Sequence, residues 1–596
     1  MTEKATIQHV EDLTFTSGHR ETIKTAQQLA SRMAQLAAST RELVNQVYVY
    51  EKPDGPLHKL YDNFRRVLIH DLSVDDFADM YAQTVTYGLF SARVTRTGKF
   101  ALENVVGMIP NTNPFLRELL EECLKVGART GRRQIDLDEL GVGELIETLR
   151  NRNTDIEAVL RDFGRQSRDR KEDPVIHFYE SFLREYDPDK KAKRGVFYTP
   201  DPVVSFIVRS VDYLLRTEFD CPDGLADTST IKWKSKTAPK VILLDPAVGT
   251  GTFEKYVIEL VYETFTRKHL GLGPRGIQKA WNEYVPKHLL PRLYGFELMM
   301  APYAVAHMKL GLMLLETGYN FESGERLRIY LTNALQPAHE VPRVDTAFLA
   351  HEAEEANKVK TDMPVTVVIG NPPYSGHSAN KGEWIGNLLR SYYKVDGKPL
   401  GEKNPKWLQD DYVKFIRYAQ WRIEETGAGI LAFITNHGYL DNPTFRGMRQ
   451  QLMQTFSEIY VLNLHGNTGR QETAPDGSPD ENVFDIKQGV SICLMVKHRG
   501  KTGRSRVFYA HLYGTRSAKY DSLAQVDVQN VEWQELTPLT PFYMFVPQEV
   551  DLQAEYDLGW QVTAAMPVNS VNLRTHRDAL VIDFDKDALT KRIAHV

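Results

Sequence analysis

The feature that most constrains this chain is an apolar run, Val365-Thr366-Val367-Val368-Ile369-Gly370, that stops on Asn371-Pro372-Pro373-Tyr374. The run is short and rich in β-branched residues, and a Gly/Ser/Asn-rich stretch follows over 375–382. This pattern predicts a buried strand ending in a loop. Open α/β sheets place ligands at the carboxyl ends of their strands. The Asn371 side-chain oxygen and the Pro372 carbonyl can each accept a hydrogen bond from a planar NH2 group on an aromatic ring. Two such acceptors pull the amine lone pair out of conjugation and aim it at an electrophile. Pro373 limits backbone freedom, which sets the acceptors before substrate arrives. Tyr374 offers a flat face to the ring. Read alone, the tetrad also fits an ordinary Pro-rich turn after a strand.

A second unit narrows the choice. Val241-Ile242-Leu243-Leu244 runs into Asp245-Pro246-Ala247-Val248-Gly249-Thr250-Gly251-Thr252-Phe253, and a helical pattern (Tyr256, Val257, Leu260, Val261) begins. Strand, Gly-rich turn and helix form the outline of a nucleotide pocket. No third Gly completes a dinucleotide fingerprint, and no Gly-Lys-Ser/Thr makes a phosphate loop. An acidic start with close backbone approach suits a nucleoside with a cationic tail better than a pyrophosphate. Arg292-Leu293-Tyr294-Gly295-Phe296-Glu297 reads as a further strand ending in an acid, which can take both ribose hydroxyls. Glu297 could equally be a solvated strand end.

Together these residues resemble the S-adenosylmethionine-dependent DNA amino-methyltransferases of the N6-adenine type, in the motif order of their gamma group. The resemblance implies an α/β, Rossmann-like catalytic core. It also implies that Tyr198, Thr199 and Pro200 lie against the methionine end of the cofactor, S-adenosyl-L-methionine. Asp245, Ala247, Gly249 and Gly251 would line the pocket, Glu297 would bind the ribose, and Asn333 would sit near the adenine ring in a place that is often acidic. Asn371, Pro372, Pro373 and Tyr374 would be catalytic, acting on an adenine flipped from double-stranded DNA. Gly489-Val490-Ser491-Ile492 stands where some members carry a second aromatic for the flipped base, and none is present here. Further stretches are similar to single-polypeptide type I-like (type ISP) restriction–modification proteins. They are Glu180-Ser181-Phe182-Leu183, Arg194-Gly195-Val196-Phe197-Tyr198-Thr199-Pro200, and the segments 375–384 and 404–417. Restriction or defence subunits are therefore possible partners. Methyl transfer of this kind needs no metal.

With 596 residues the chain exceeds one compact core. Hydrophobic residues make up 42% and no apolar run reaches membrane-spanning length, so no membrane partner is expected. Cys123, Cys221 and Cys493 are too few and scattered for a disulfide framework or zinc site, which predicts buried thiols and a cytoplasmic protein. A net charge of −5 requires any DNA affinity to be local. Candidates are Lys190, Lys191, Lys193 and Arg194, and the run Arg161, Arg165, Arg168, Arg170, Lys171, although such runs are commonly just solvated surface.

Residues 1–170 read as a helical, coupler-like region. Ile23, Ala26, Leu29, Met33, Leu36, Leu43, Val44 and Val47 recur at helical spacing, Ser73 starts another helix, and Asn113-Pro114 starts a third. Residues 171–535 are the expected catalytic domain, with further strands at 429–435, 459–464 and 490–496 and a helix over 412–421. Residues 536–596 resemble the entry to a target-recognition region, expected to be incomplete or supplied by another subunit. The reading is site-specific N6-adenine DNA methylation within restriction–modification or phage defence. Cytosine-N4 methylation, methylation of an RNA amine or protein amide, and a DNA-binding subunit inactive without a partner remain alternatives.

Overall fold

The computed structural model describes residues 22–594 except 71, 96–99, 101, 110–112, 127–139, 151–152, 160–161, 163–180, 183–184, 187–197, 343, 345, 375, 377, 403–404, 501–502 and 569–581. They fall into two compact units, one ending at Val546 and the other spanning Pro547–Val596. Both basic runs named above lie outside the described residues.

The first unit is built on a nine-stranded sheet. Its strands are β1 (Leu243–Asp245), β2 (Leu293–Glu297), β3 (Arg328–Leu331), β4 (Val367–Gly370), β5 (Gly429–Asn436), β6 (Glu458–His465), β7 (Val490–Lys497), β8 (Arg506–His511) and β9 (Gln534–Leu536). Their order across the sheet is 3-2-1-4-5-7-6-8-9. Strands β3, β2, β1, β4 and β5 are parallel, whereas β7 runs antiparallel to both β5 and β6. Chain order therefore reverses between β1 and β4, where Leu243 and Leu244 face Val367 and Val368. Every residue of β1, β2 and β4 is buried, as expected of parallel strands covered on both faces. A switch point of this kind opens a crevice at the strand ends.

The strands expected at 365–370, 241–244, 292–297, 429–435, 459–464 and 490–496 are present to within two residues at either end. The partly polar β8 and β9 lacked a sequence signal. So did β3, a four-residue strand that opens on Arg328.

Helices pack as the periodicity requires. α1 (Ala26–Tyr50) buries Ala26, Leu29, Met33, Leu36 and Val44, and Thr25 and Gln28 close its start as a capping box. Ile23 is not on that helix; it pairs in a bridge with Thr154, because the N-cap at Thr25 starts the helix only after it. α2 (Val74–Thr95) begins at Ser73, whose hydroxyl accepts from the Asp76 amide. α3 (Pro114–Val126) begins at Asn113, whose side chain accepts from Leu116 N. α2 lies along α4 (Met300–Glu316), a helix buried on most sides, so the helical region and the sheet share one apolar core. Cys123, Cys221 and Cys493 are buried free thiols. Among the described residues, no helix is long and apolar enough to cross a membrane.

The 466–485 connection between β6 and β7 is tied down from inside. The Asp480 carboxylate accepts from the amides of Gly466 (2.6 Å) and Gly514 (2.8 Å). It also pairs with the Lys519 ammonium at 2.7 Å, both side chains fully buried. Lys519 further donates to the carbonyls of Leu464 and Glu481. Arg449, also fully buried, donates to the carbonyls of Tyr439, Asn442 and Phe542, which fixes the chain around 542 to the first unit. The second unit contains short helices at Val550–Asp557, Val562–Ala565 and Lys586–Ile593 and leaves Trp560 89% exposed.

Removing one member of a buried ion pair strands the other charge. Lys519→Met should therefore destabilise the first unit by about 3–5 kcal/mol, read as a lowered melting temperature and faster proteolysis within 466–485. A wild-type melting curve would refute it.

Candidate active site at the β1/β4 switch point

β1 delivers Asp245 to the crevice. Its Oδ1 accepts from the Ala247 amide at 2.8 Å, while Oδ2 is buried without a hydrogen-bond partner. The turn after it depends on Gly249 (φ 57°) and Gly251 (φ 75°), both in the left-handed region. A Cβ on Gly251 would come within 3.3 Å of Ala306 on α4, so a side chain there would be crowded as well as strained. A Cβ on Gly249 would meet nothing within 4 Å, which marks open space above the turn. α5 (Thr252–Lys268) starts directly afterwards.

A second carboxyl sits under this turn. Glu254 is fully buried, and neither of its oxygens has a hydrogen-bond partner. Burial pushes its pKa up to about 8 despite the opposing influence of Lys309. Burial, and then the neighbouring Glu254, hold the Asp245 carboxyl well above the usual carboxylate range. Lys309, from α4, donates to Thr252 Oγ1 at 3.1 Å. Sequence reading passed over Glu254, because an acid in the first turn of a helix is ordinarily a solvent-exposed dipole partner.

β2 delivers Glu297. Its Oε2 accepts from Gly249 N at 2.9 Å, and its Oε1 from Leu298 N at 2.9 Å and Met299 N at 2.8 Å. This carboxylate binds the Gly-rich turn to the end of β2 and is 7% exposed, so it is not a solvated strand end. β3 delivers Asn333. Its Oδ1 accepts from Leu335 N, and its Nδ2 donates to Asn380 Oδ1 at 3.0 Å. Behind it, the buried Lys360 donates to Thr332 Oγ1 and to the Asn333 carbonyl, with its pKa lowered by burial to about 7.

β4 delivers the Asn371 tetrad, and the structure joins it to the Tyr198-Thr199-Pro200 segment, far away in sequence. Asn371 Nδ2 donates to Thr199 Oγ1 at 3.0 Å. Tyr198 OH donates to Asp201 Oδ1 at 2.7 Å, and Pro200 caps α6 (Asp201–Glu218). Gly370 permits the close approach of β4 to β1, since a Cβ there would lie 2.7 Å from Asp245 Oδ1.

Tyr374 is placed differently from the sequence expectation. Its hydroxyl donates to Asn371 Oδ1 at 2.5 Å, and its ring meets Tyr412 edge-on at 6.5 Å. Burial holds its phenol well above the ordinary tyrosine value, so it is a neutral donor. The acceptor expected to await an amine therefore holds a phenol hydroxyl. Near the site, Gly489 leaves room for His437, whose ring a Cβ at 489 would approach to 2.3 Å. Burial lowers the His437 pKa, so this ring is neutral. An aromatic ring thus occupies the side-chain space that Gly489 leaves empty.

Residues 170–440 match the model of the N-6 DNA Methylase family. Three solved structures resemble the chain in fold. One is a DrdV–DNA complex, with TM-score 0.69, 22% identity, 96% of this chain and 52% of that one covered. Another is the ATP-dependent type ISP restriction–modification enzyme LlaBIII bound to DNA, with TM-score 0.69, 22% identity and coverage of 96% and 36%. A third is a nuclease-deletion mutant of the type ISP enzyme LlaGI with a DNA substrate mimic, with TM-score 0.64, 21% identity and coverage of 94% and 48%. The chain thus spans about half or less of the length of these proteins. No curated protein matches it. The tetrad, the Gly-rich turn and the acid of β2 are thus gathered at one switch point, within the residues 170–440 that match the N-6 DNA Methylase model.

Proposed function

We propose that this chain transfers a methyl group from S-adenosyl-L-methionine to the N6 amine of adenine in DNA, as part of a restriction–modification or defence system in the cytoplasm. The observation that carries the reading is the 3.0 Å bond from Asn371 to Thr199, which sets the amine-gripping tetrad against the pocket wall opposite Asp245 and the Gly-rich turn. The catalytic domain is assigned to 171–535 after a helical region over 1–170, with 536–596 opening a target-recognition region.

The pocket residues fit the cofactor. The unpartnered Asp245 Oδ2 and the buried Glu254 are carboxyls that burial holds protonated, and a cationic amino-acid tail beside them would favour their ionised form and so be bound. The open space at Gly249 admits a nucleoside beside Glu297 and Asn333. When bound, the cofactor supplies an electrophilic methyl on a sulfonium centre. Tyr198, Thr199 and Pro200 close the methionine end, Ala247 and Gly251 hold the turn, and Glu297 orients the ribose.

The remaining chemistry belongs to the tetrad. A flipped adenine enters beside Asn371, and its amine displaces the Tyr374 hydroxyl from Asn371 Oδ1. Asn371 Oδ1 and the Pro372 carbonyl accept the two amine hydrogens and hold the nitrogen lone pair out of conjugation. Pro373 keeps these acceptors fixed. The released Tyr374 ring stacks on the base, with His437 as a second ring. After transfer, the surplus proton leaves the nitrogen through one of these acceptors to water. Positioning dominates the rate, since no strong base is required.

Transfer of tritiated methyl to mixed genomic DNA, followed by nucleoside analysis, tests the reaction. Wild type should yield N6-methyladenine, and Asn371→Ala should lose on the order of 100- to 1000-fold in rate with cofactor binding retained. N4-methylcytosine, or undiminished transfer by the variant, would refute the assignment. Tyr374→Ala should weaken binding of an unpaired adenine by about 1–3 kcal/mol, measured with a 2-aminopurine probe, while Tyr374→Phe keeps the ring and loses little. Equal losses would refute a stacking role.

The buried acid gives a pH signature. Because Glu254 is protonated in the folded chain up to about pH 8 but ionises near 4.5 when unfolded, its contribution is full below 4.5 and is lost as pH rises to 8. In cofactor-free protein, Glu254→Gln should therefore raise the melting temperature increasingly between these values. A gain independent of pH would contradict this.

A further inference from the structure

A polar strap links the two halves of the site. The loop after Tyr374 is held by Asp411 and Lys414, both buried on α7 (Asp411–Thr426). Lys414 donates to Ser378 Oγ at 2.7 Å and to the Asn380 carbonyl at 2.6 Å. The Asn380 amide donates to Ser378 Oγ at 3.1 Å, and its Nδ2 donates to Asp411 Oδ1 at 3.0 Å. Its Oδ1 accepts from Asn333 Nδ2 at 3.0 Å.

The polarity of this chain of bonds is forced. Asp411 Oδ1 accepts from Ser378 Oγ as well as from Asn380 Nδ2, so the Asn380 side-chain NH2 faces it. Asn380 Oδ1 then faces Asn333 and needs a donor. Asn333 turns its own NH2 there because its Oδ1 is occupied by the Leu335 amide at 2.9 Å. Each side-chain amide thus has one satisfied orientation. Disturbing Asn333 alters the order of Asn380, and through Ser378 and the Lys414 bonds it alters the loop that begins four residues after Tyr374.

We infer that Asn380 is a positioning residue that transmits occupancy of the pocket at Asn333 to the loop behind Tyr374, ordering the target-base side once the cofactor side is filled. This rests on the proposed placement of the cofactor's adenine beside Asn333. Ordering one end of a saturated hydrogen-bond chain lowers the entropy left to lose at the other, which couples the two sites without a large displacement. Tyr374 must leave Asn371 before a base can bind. A fixed loop narrows the positions open to its ring.

Amide hydrogen exchange with and without S-adenosylhomocysteine tests this on the full chain without DNA. In wild type the ligand should slow exchange at Gly249, Leu298 and Met299, and also in the peptide carrying residues 378–382, the latter by about 5-fold or more. Asn380→Ala should keep the first protection and lose the second. Asn333→Ala, which removes the same bond from the other side, should also lose loop protection, and the double variant should lose no more than either. Loop protection persisting in Asn380→Ala would overturn the inference while leaving the cofactor reading intact. Absence of protection at Gly249, Leu298 and Met299 in wild type would overturn the cofactor reading itself.

Discussion

The contact between the Asp245 carboxyl and the bare backbone of Gly370 is the constraint on which the site depends. It lies where two neighbouring parallel strands lead off in opposite directions across the sheet, between β1 and β4. A side chain at 370 would collide with Asp245, and the two strand ends could not both open into the same crevice. Because they do, the start of the Gly-rich turn and the start of the Asn371 tetrad are neighbours despite a separation of more than a hundred residues. Under the proposed function, an electrophile held by one strand end and a nucleophile held by the next would meet in that crevice.

Around that contact, the site is built from groups whose needs are only partly met. Asp245 Oδ2 and both oxygens of Glu254 have no hydrogen-bond partner, and Asn371 Oδ1 is covered by the Tyr374 hydroxyl. Buried unpaired oxygens destabilise a protein unless a ligand or a proton satisfies them. Here burial satisfies them with protons, as the raised pKa values of both acids indicate. The supporting shell is the reverse. Glu297 accepts three backbone amides, and Lys414, Lys360, Arg449 and Lys519 all place their charge on carbonyls, hydroxyls or a carboxylate inside the protein. Rigid surroundings and an unsatisfied centre are what preorganisation requires.

Much of this was legible in the chain. Short apolar runs that end on Asp245, Glu297 and Asn371 carry both the strand assignment and the chemistry, because parallel strands must be apolar throughout and their functional residues sit where the apolarity stops. Helix starts at Ser73 and Asn113 were legible because capping is a local interaction. Ile23 was misread, since apolar spacing alone does not register a cap at Thr25. Glu254 and His437 carried no readable signal, and Asn380 and Lys414 were legible only as members of stretches similar to type ISP proteins, without a role of their own. A polar residue that bonds another polar residue tens or hundreds of positions away has the same sequence appearance as one that faces water.

The sequence by itself determined which residue types stand at the strand ends, and so the class of chemistry: two acceptors for an amine, a Gly-rich turn and an acid for a nucleoside. Those are properties of side chains and of local backbone conformation, which the order of residues encodes directly. The tertiary structure alone decided that Thr199 meets Asn371, that Tyr374 caps the acceptor rather than lying open, that Gly489 gives its space to His437, and that Asn380 joins Asn333 to Asp411. These follow from which strands become neighbours and how closely they pack, and such distances arise only when the whole sheet closes around its buried core.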